Sequence, residues 1–136
     1  MRPAPQPTER ELHILKVLWD RGEATVQEVY RALRDELPIV QNTVQAFLRT
    51  MDEKGLVRHR VVGRTFVYRP AFERDHTARG MLARTLQRVF DGALDQLVAN
   101  VLSLRQPTPE ELDRLRSLIE QLEQQTKRAR RGGTSR

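Results

Sequence analysis

The chain has 136 residues, 38% of them hydrophobic and 31% charged, with 24 basic against 18 acidic side chains and no cysteine. This suffices for one compact core, or for one small domain plus an oligomerisation arm, but not for two large domains, and the apolar share is that of a folding chain. The composition excludes disulfides and thiolate chemistry; no apolar run nears the roughly 18 residues of a bilayer span, and the first residues lack a signal peptide's apolar stretch. A cytoplasmic protein with no direct membrane binding is expected, and its basic excess favours polyanionic partners.

Residues 1–7 hold three prolines and no periodicity, so a flexible lead is expected. Thr8-Glu9-Arg10-Glu11 has the capping-box pattern that opens a helix, and Leu12, Ile14, Leu15, Leu18 and Trp19 give it an apolar side before Arg21-Gly22 stops it. A second capping box, Thr25-Val26-Gln27-Glu28, opens a helix with Val26, Val29, Tyr30 and Leu33 inward, ending near Pro38.

The third helix, Thr43 to Lys54, has a buried stripe of Val44, Phe47, Leu48 and Met51. Its other side offers Gln41, Asn42, Thr43, Gln45, Ala46 and Arg49. Glutamine and asparagine can bond a base edge through two hydrogen bonds, arginine can take guanine, and a threonine at a helix start can hold a phosphate. No acid occurs between Leu37 and Met51, which suits close approach to phosphates.

After Gly55 the period changes. Segments 56–62 and 65–69 are rich in β-branched and aromatic residues, with Gly63-Arg64 between them as a turn, and they predict a β-hairpin. Its arginines, Arg58, Arg60 and Arg64, are candidate phosphate contacts. Three helices and a two-stranded ribbon within about 60 residues predict a winged helix-turn-helix.

Beyond Pro70 two helices bent at Gly92 are expected, with apolar positions including Leu86, Val89, Phe90, Leu94, Leu97, Val98 and Val101. Thr108-Pro109-Glu110-Glu111 opens a last helix striped by Leu112, Leu115, Ile119 and Leu122. Such helices bury little alone, so a homodimer is expected, with Leu86, Val89, Phe90, Leu94, Leu97, Val98, Val101, Leu115, Ile119 and Leu122 at its interface. Segment 127–136 carries five basic residues and no acid and reads as a disordered basic tail.

The fold class is therefore mainly helical α+β: a lead (1–7), a winged helix-turn-helix that binds double-stranded DNA (8–70), a three-helix dimerisation region (71–126) and the tail (127–136). No enzyme is expected. His13, His59 and His76 match no metal spacing, Ser103, Ser117 and Ser135 have no nearby base, and no metal, cofactor or catalytic residue is assigned.

In the segments ELHILKVLW (11–19), TVQEV (25–29), NTVQAFLRTMDEKG (42–55) and the wing ending FVYRP (66–70), the chain resembles the BlaI/MecI family of bacterial penicillinase repressors over residues 8–125. The resemblance implies a homodimer that binds a pseudo-palindromic operator, blocks transcription and has interlocked C-terminal helices. It also implies inactivation by a membrane-bound metalloprotease sensor. By likeness the segment Leu97 to Val101 overlies the cleaved stretch, which makes the Asn100–Val101 bond the candidate, beside the alternative that this stretch is only dimer core. The family usually has threonine where Ala46 stands, arginine where Thr50 stands and often an aromatic residue where Val101 stands, which implies a different operator and bears on processing.

Overall fold

The computed structural model describes residues 5–133; residues 1–4 of the expected lead and 134–136 of the expected tail lie outside the described residues. Helix α1 (Glu9–Arg21) begins where its capping box forms: the Thr8 hydroxyl accepts from the Glu11 amide at 3.3 Å, and the Thr8 amide donates to Glu11 Oε1 at 2.9 Å. Helix α2 (Val26–Leu33) repeats the device with Thr25 and Glu28. It ends at Leu33, five residues short of Pro38, so the segment before the proline is turn rather than helix. Helix α3 (Gln41–Lys54) closes at Gly55, whose left-handed φ of 85° turns the chain so that the following Leu56 amide donates back to the Met51 carbonyl at 2.9 Å.

The three helices share one core. Ile14, Leu15 and Leu18 of α1, Val29 and Leu33 of α2, and Val44, Leu48 and Met51 of α3 are buried together, with Leu56, Val57 and Tyr68 from the wing root. Strands β2 (Val57–Val62) and β3 (Thr65–Pro70) form the expected antiparallel hairpin, with His59 opposite Tyr68 and Val61 opposite Phe66. Its turn needs positive φ only at Gly63, at 64°.

Two-residue strand β1 (Ala24–Thr25) was not anticipated. It pairs Ala24 with Tyr68 and Thr25 with Val67, giving a three-stranded sheet in the order β1-β3-β2. A two-residue strand carries no alternation to read; what forms it is the pairing with β3. Glu11 is the other surprise. Besides its capping role it is 2% exposed and accepts from Lys54 Nζ at 2.7 and 3.0 Å, tying the start of α1 to the end of α3. Burial raises its carboxyl pKa, but the Lys54 ammonium and the Thr8 hydrogen bonds outweigh burial and hold it below the usual value.

Helix α4 (Arg74–Arg88) belongs to the same compact unit, which runs to Val89, past residue 70. Pro5, Gln6 and Pro7, expected to be free, are half-buried. Gln6 lies against Gly80 of α4, where a Cβ would come within 2.8 Å of its Nε2. The chain then breaks at Asp91 and Gly92, both with positive φ, as the glycine suggested.

The second unit, from Phe90 onward, holds α5 (Leu94–Leu104) and α6 (Pro109–Gly133). Between them Thr108 and Glu111 form a third capping box, and Arg105 grips the Glu111 carboxylate through two bonds of 2.8 and 2.6 Å. Arg105 and the Thr108 amide hold the Glu111 pKa down to about 2. Helix α6 continues through Lys127–Gly133, so the segment expected to be a disordered tail is helical that far. Glutamine, lysine, arginine and alanine favour helix, and cations at its end complement the macrodipole.

Replacing Glu11 with alanine should lower the stability of the first unit by about 1–3 kcal/mol, read by urea titration, because Lys54 loses its partner beside the core. Since the folded pKa lies below the unfolded one, this contribution is complete above the unfolded value and disappears as pH falls through the folded value. Glu11→Gln should accordingly flatten the acid limb of the stability profile. Leu48→Ala, at a fully buried position, should cost about 2–5 kcal/mol in the same titration.

Candidate nucleic-acid interface

The inner stripe of α3 fixes how the helix is rotated. With Val44, Leu48 and Met51 buried, the rotation of 100° per residue puts Asn42, Ala46, Arg49 and Glu53 on the outward crest. Gln41, Gln45 and Asp52 fall on the flank toward the wing, and Thr43 and Thr50 on the opposite flank. Gln41, Asn42, Thr43, Gln45, Ala46 and Arg49 are all exposed. Unlike α1 and α2, α3 starts without a side-chain cap: Val40 is extended and offers no acceptor, and the first turn holds no acid. Its leading amides stay open at the positive end of the helix dipole.

Between α3 and the wing lies a cleft of about 890 Å³. Gln41, Gln45 and Arg49 line it from the helix, Arg64 and Phe66 from the wing, and Gln27 from the first turn of α2. Four expected DNA-facing residues, Gln41, Gln45, Arg49 and Arg64, therefore meet in one concave surface. Asn42, Thr43 and Ala46 stand on the neighbouring exposed faces of the same helix.

The wing arginines divide. Strand pairing puts His59, Val61, Phe66 and Tyr68 on one face of the hairpin and Arg58, Arg60 and Arg69 on the other. The first face looks into the cleft. Arg60 is engaged away from it, donating to Glu23 from Nη2 at 2.7 Å and from Nε at 3.2 Å. This fork holds the Glu23 carboxyl below its usual pKa. Arg58 shares Arg60's face, and Arg64 at the tip is the one that reaches the cleft.

The cleft floor was not legible in the sequence. His59 Nδ1 bonds the Asp52 carboxylate, and its ring stacks on Phe66 at 4.5 Å with 12° between planes. Phe66 meets Tyr68 edge-on at 6.2 Å. Burial, with the Asp52 charge adding to it, raises the Tyr68 pKa. The wing is thus pinned to the end of α3 on one face and to Glu23 on the other. Gln27 is a further cleft residue; the capping box that spans it is the available signal, because it fixes where the first turn of α2 presents its side chains.

The expected dimer positions lie in the helices after the wing. Leu86 sits in α4 and Val89 at its end; Phe90 follows; Leu94, Leu97, Val98 and Val101 are in α5, and Leu115, Ile119 and Leu122 in α6. No described side chain from Phe90 onward is buried, and Leu94, Val98, Val101, Ile119 and Leu122 are exposed. Asn100 lies inside α5, with its side chain donating to the Gln96 carbonyl at 2.8 Å and its own carbonyl accepting from Ser103 Oγ at 2.7 Å. Among the described residues no cluster of metal-binding side chains occurs, and no helix is long and apolar enough to cross a membrane.

Residues 7–121 match the model of the family described as penicillinase repressor. The penicillinase repressor of Bacillus licheniformis is 29% identical over 121 residues, covering 89% of this chain and 94% of that protein. Two solution structures, of the DNA-binding domain of the repressor BlaI and of monomeric Bacillus licheniformis BlaI with the blaP half-operator, are each 30% identical, with a TM-score of 0.49 over 56% of this chain and 93% of theirs. The chain belongs to the penicillinase repressor family and is a winged-helix, DNA-binding transcriptional repressor, not an enzyme.

Proposed function

We propose that two copies of the chain hold the two halves of a pseudo-palindromic operator, each with α3 in a major groove and Arg64 beside it on backbone or minor groove. The observation that carries this reading is the cleft that gathers Gln41, Gln45, Arg49 and Arg64 next to an uncapped, acid-free helix start. Asn42, Gln45 and Arg49 read base edges, Gln41 and Thr43 hold phosphate at the helix entry, and Ala46 permits close approach. Arg58 and Arg60 take part through the outer face of the wing, Arg60 chiefly by holding the wing on Glu23.

Pairing falls to the helices after residue 71. Leu94, Val98 and Val101 of α5 and Leu118, Ile119 and Leu122 of α6 are exposed within one copy, and mutual burial in a homodimer is the reading that satisfies them. The basic end of α6 adds sequence-independent attraction to phosphate. The chain acts in the cytoplasm, where its operator is. Release occurs by cutting the Asn100–Val101 bond by a membrane-bound metalloprotease sensor. That bond lies in α5, which has no side-chain cap at its start and no buried residue within one copy, so a protease reaches it when the pairing opens.

In mobility-shift titrations the chain should bind its own promoter region far more tightly than scrambled duplex; equal affinity overturns the repressor reading. Asn42→Ala and Gln45→Ala should each reduce discrimination between the two by about 1–3 kcal/mol. Arg64→Ala should weaken all duplexes alike and lower the salt slope by about one, with Arg60→Ala doing less. Sedimentation should show a concentration-dependent dimer, and Ile119→Asp should shift it toward monomer.

A further inference from the structure

The joint between the wing and α4 carries a role that the DNA-facing residues do not supply. Chain leaving β3 at Pro70 is held first by the Ala71 amide, which donates to the Leu56 carbonyl at 2.9 Å. The indole N–H of Trp19, near the end of α1, then donates to the Phe72 carbonyl at 2.9 Å across 53 residues of sequence. Phe72 stacks on His76 in the first turn of α4 at 4.9 Å and 12°. Arg74 lies over the Trp19 ring at 5.5 Å and reaches Asp20 at 3.4 Å. One turn on, Thr77 is buried, the only residue of α4 that is.

Trp19 is half-buried against the core, so its ring is placed by the same packing that places α1. Arg74 and Asp20 are both well exposed, and their pair adds little by itself. The part-buried indole bond and the ring contacts therefore dominate the joint. The sequence marks Trp19 only as a member of an apolar helix stripe.

We infer that Trp19 is a positioning residue for operator binding: it sets the direction in which α4 leaves the winged domain and so the separation of the two half-sites that the repressor accepts. This rests on the reading of two copies on two half-sites. The lever is long, since 15 residues of α4 span about 22 Å, and a tilt of about 15° at the base moves the far end by about 6 Å. That exceeds the 3.4 Å rise of one base pair, while half-site centres must stay in phase with a helical turn of roughly 10 base pairs. A loosened joint leaves each α3 as competent as before and blurs only the spacing.

The test uses the full-length chain and a duplex selected from a random pool by the wild-type protein. Affinities are compared for that duplex, for versions with one to three base pairs added or removed at its centre, and for a single half-site. Wild type should lose about tenfold or more at the wrong spacings. Trp19→Phe, which keeps a ring but lacks the donor, should flatten that loss to about threefold or less and keep half-site affinity within about twofold. Arg74→Ala, at an exposed position, repeats the test in a variant whose fold is not in question and should flatten the profile partly. A Trp19→Phe profile as steep as wild type overturns the inference, and so does an equal loss on the half-site. A wild-type chain indifferent to spacing overturns instead the two-half-site reading, and the inference with it.

Discussion

Burial of one stripe of α3 governs the reading surface. A helix packed on one side has no freedom to turn, because each residue of rotation would carry an apolar side chain into water at about 1.5–3 kcal/mol and a polar one into the core. Val44, Leu48 and Met51 are completely buried against α1 and α2. Their positions decide that Asn42 and Arg49 stand on the crest and Gln41 and Gln45 on the wing side. The proposed DNA contacts thus depend on residues that are themselves buried in the core. The Glu11–Lys54 pair reinforces this at the far end of the same helix, joining it to the start of α1.

The wing is placed differently. A two-stranded ribbon alone is marginal, and this one is fixed by contacts at both faces. Strand β1 covers one edge of β3, the Tyr68 side chain enters the core, and His59 and Arg60, adjacent in β2 and so on opposite faces, bond to Asp52 and Glu23. Alternation along a single strand thus anchors the ribbon to α3 on one side and to the turn before α2 on the other. Arg64 is left at the tip, next to the cleft, with no such partner among the described residues.

Legibility in the sequence followed the range of the interaction. The capping boxes at Thr8, Thr25 and Thr108, the glycine stop at Gly55 and the hairpin turn at Gly63 all act within a few residues, and each stands where the sequence puts it. Periodicity found the α3 stripe for the same reason. The contacts it did not reveal join residues far apart: Glu11 to Lys54, Glu23 to Arg60, Trp19 to the Phe72 carbonyl. Charged residues carry no period that names a partner 37 or 43 positions away, and a backbone acceptor leaves no trace in sequence at all. The end of α6 failed for another reason. Its basic composition reads as a mark of disorder, whereas the same residues are strong helix formers at the end of an existing helix.

The two units differ in what can hold them together. The first has a closed core and, among its described residues, no buried polar side-chain atom without a partner. The second has none of its described side chains buried, and its ion pair between Arg105 and Glu111 lies at the surface and is of small worth. Two amphipathic helices in water without a covered face are marginal on propensity alone. If a second copy covers them, folding of this unit and pairing are one equilibrium, and its stability rises with protein concentration. Binding to two half-sites then draws on that same equilibrium, because pairing brings the second winged domain to its site at a high effective concentration. On the proposed reading, cutting α5 at Asn100 removes the apolar face that makes pairing favourable and returns each winged domain to the affinity of a single half-site, without altering any residue proposed to contact DNA.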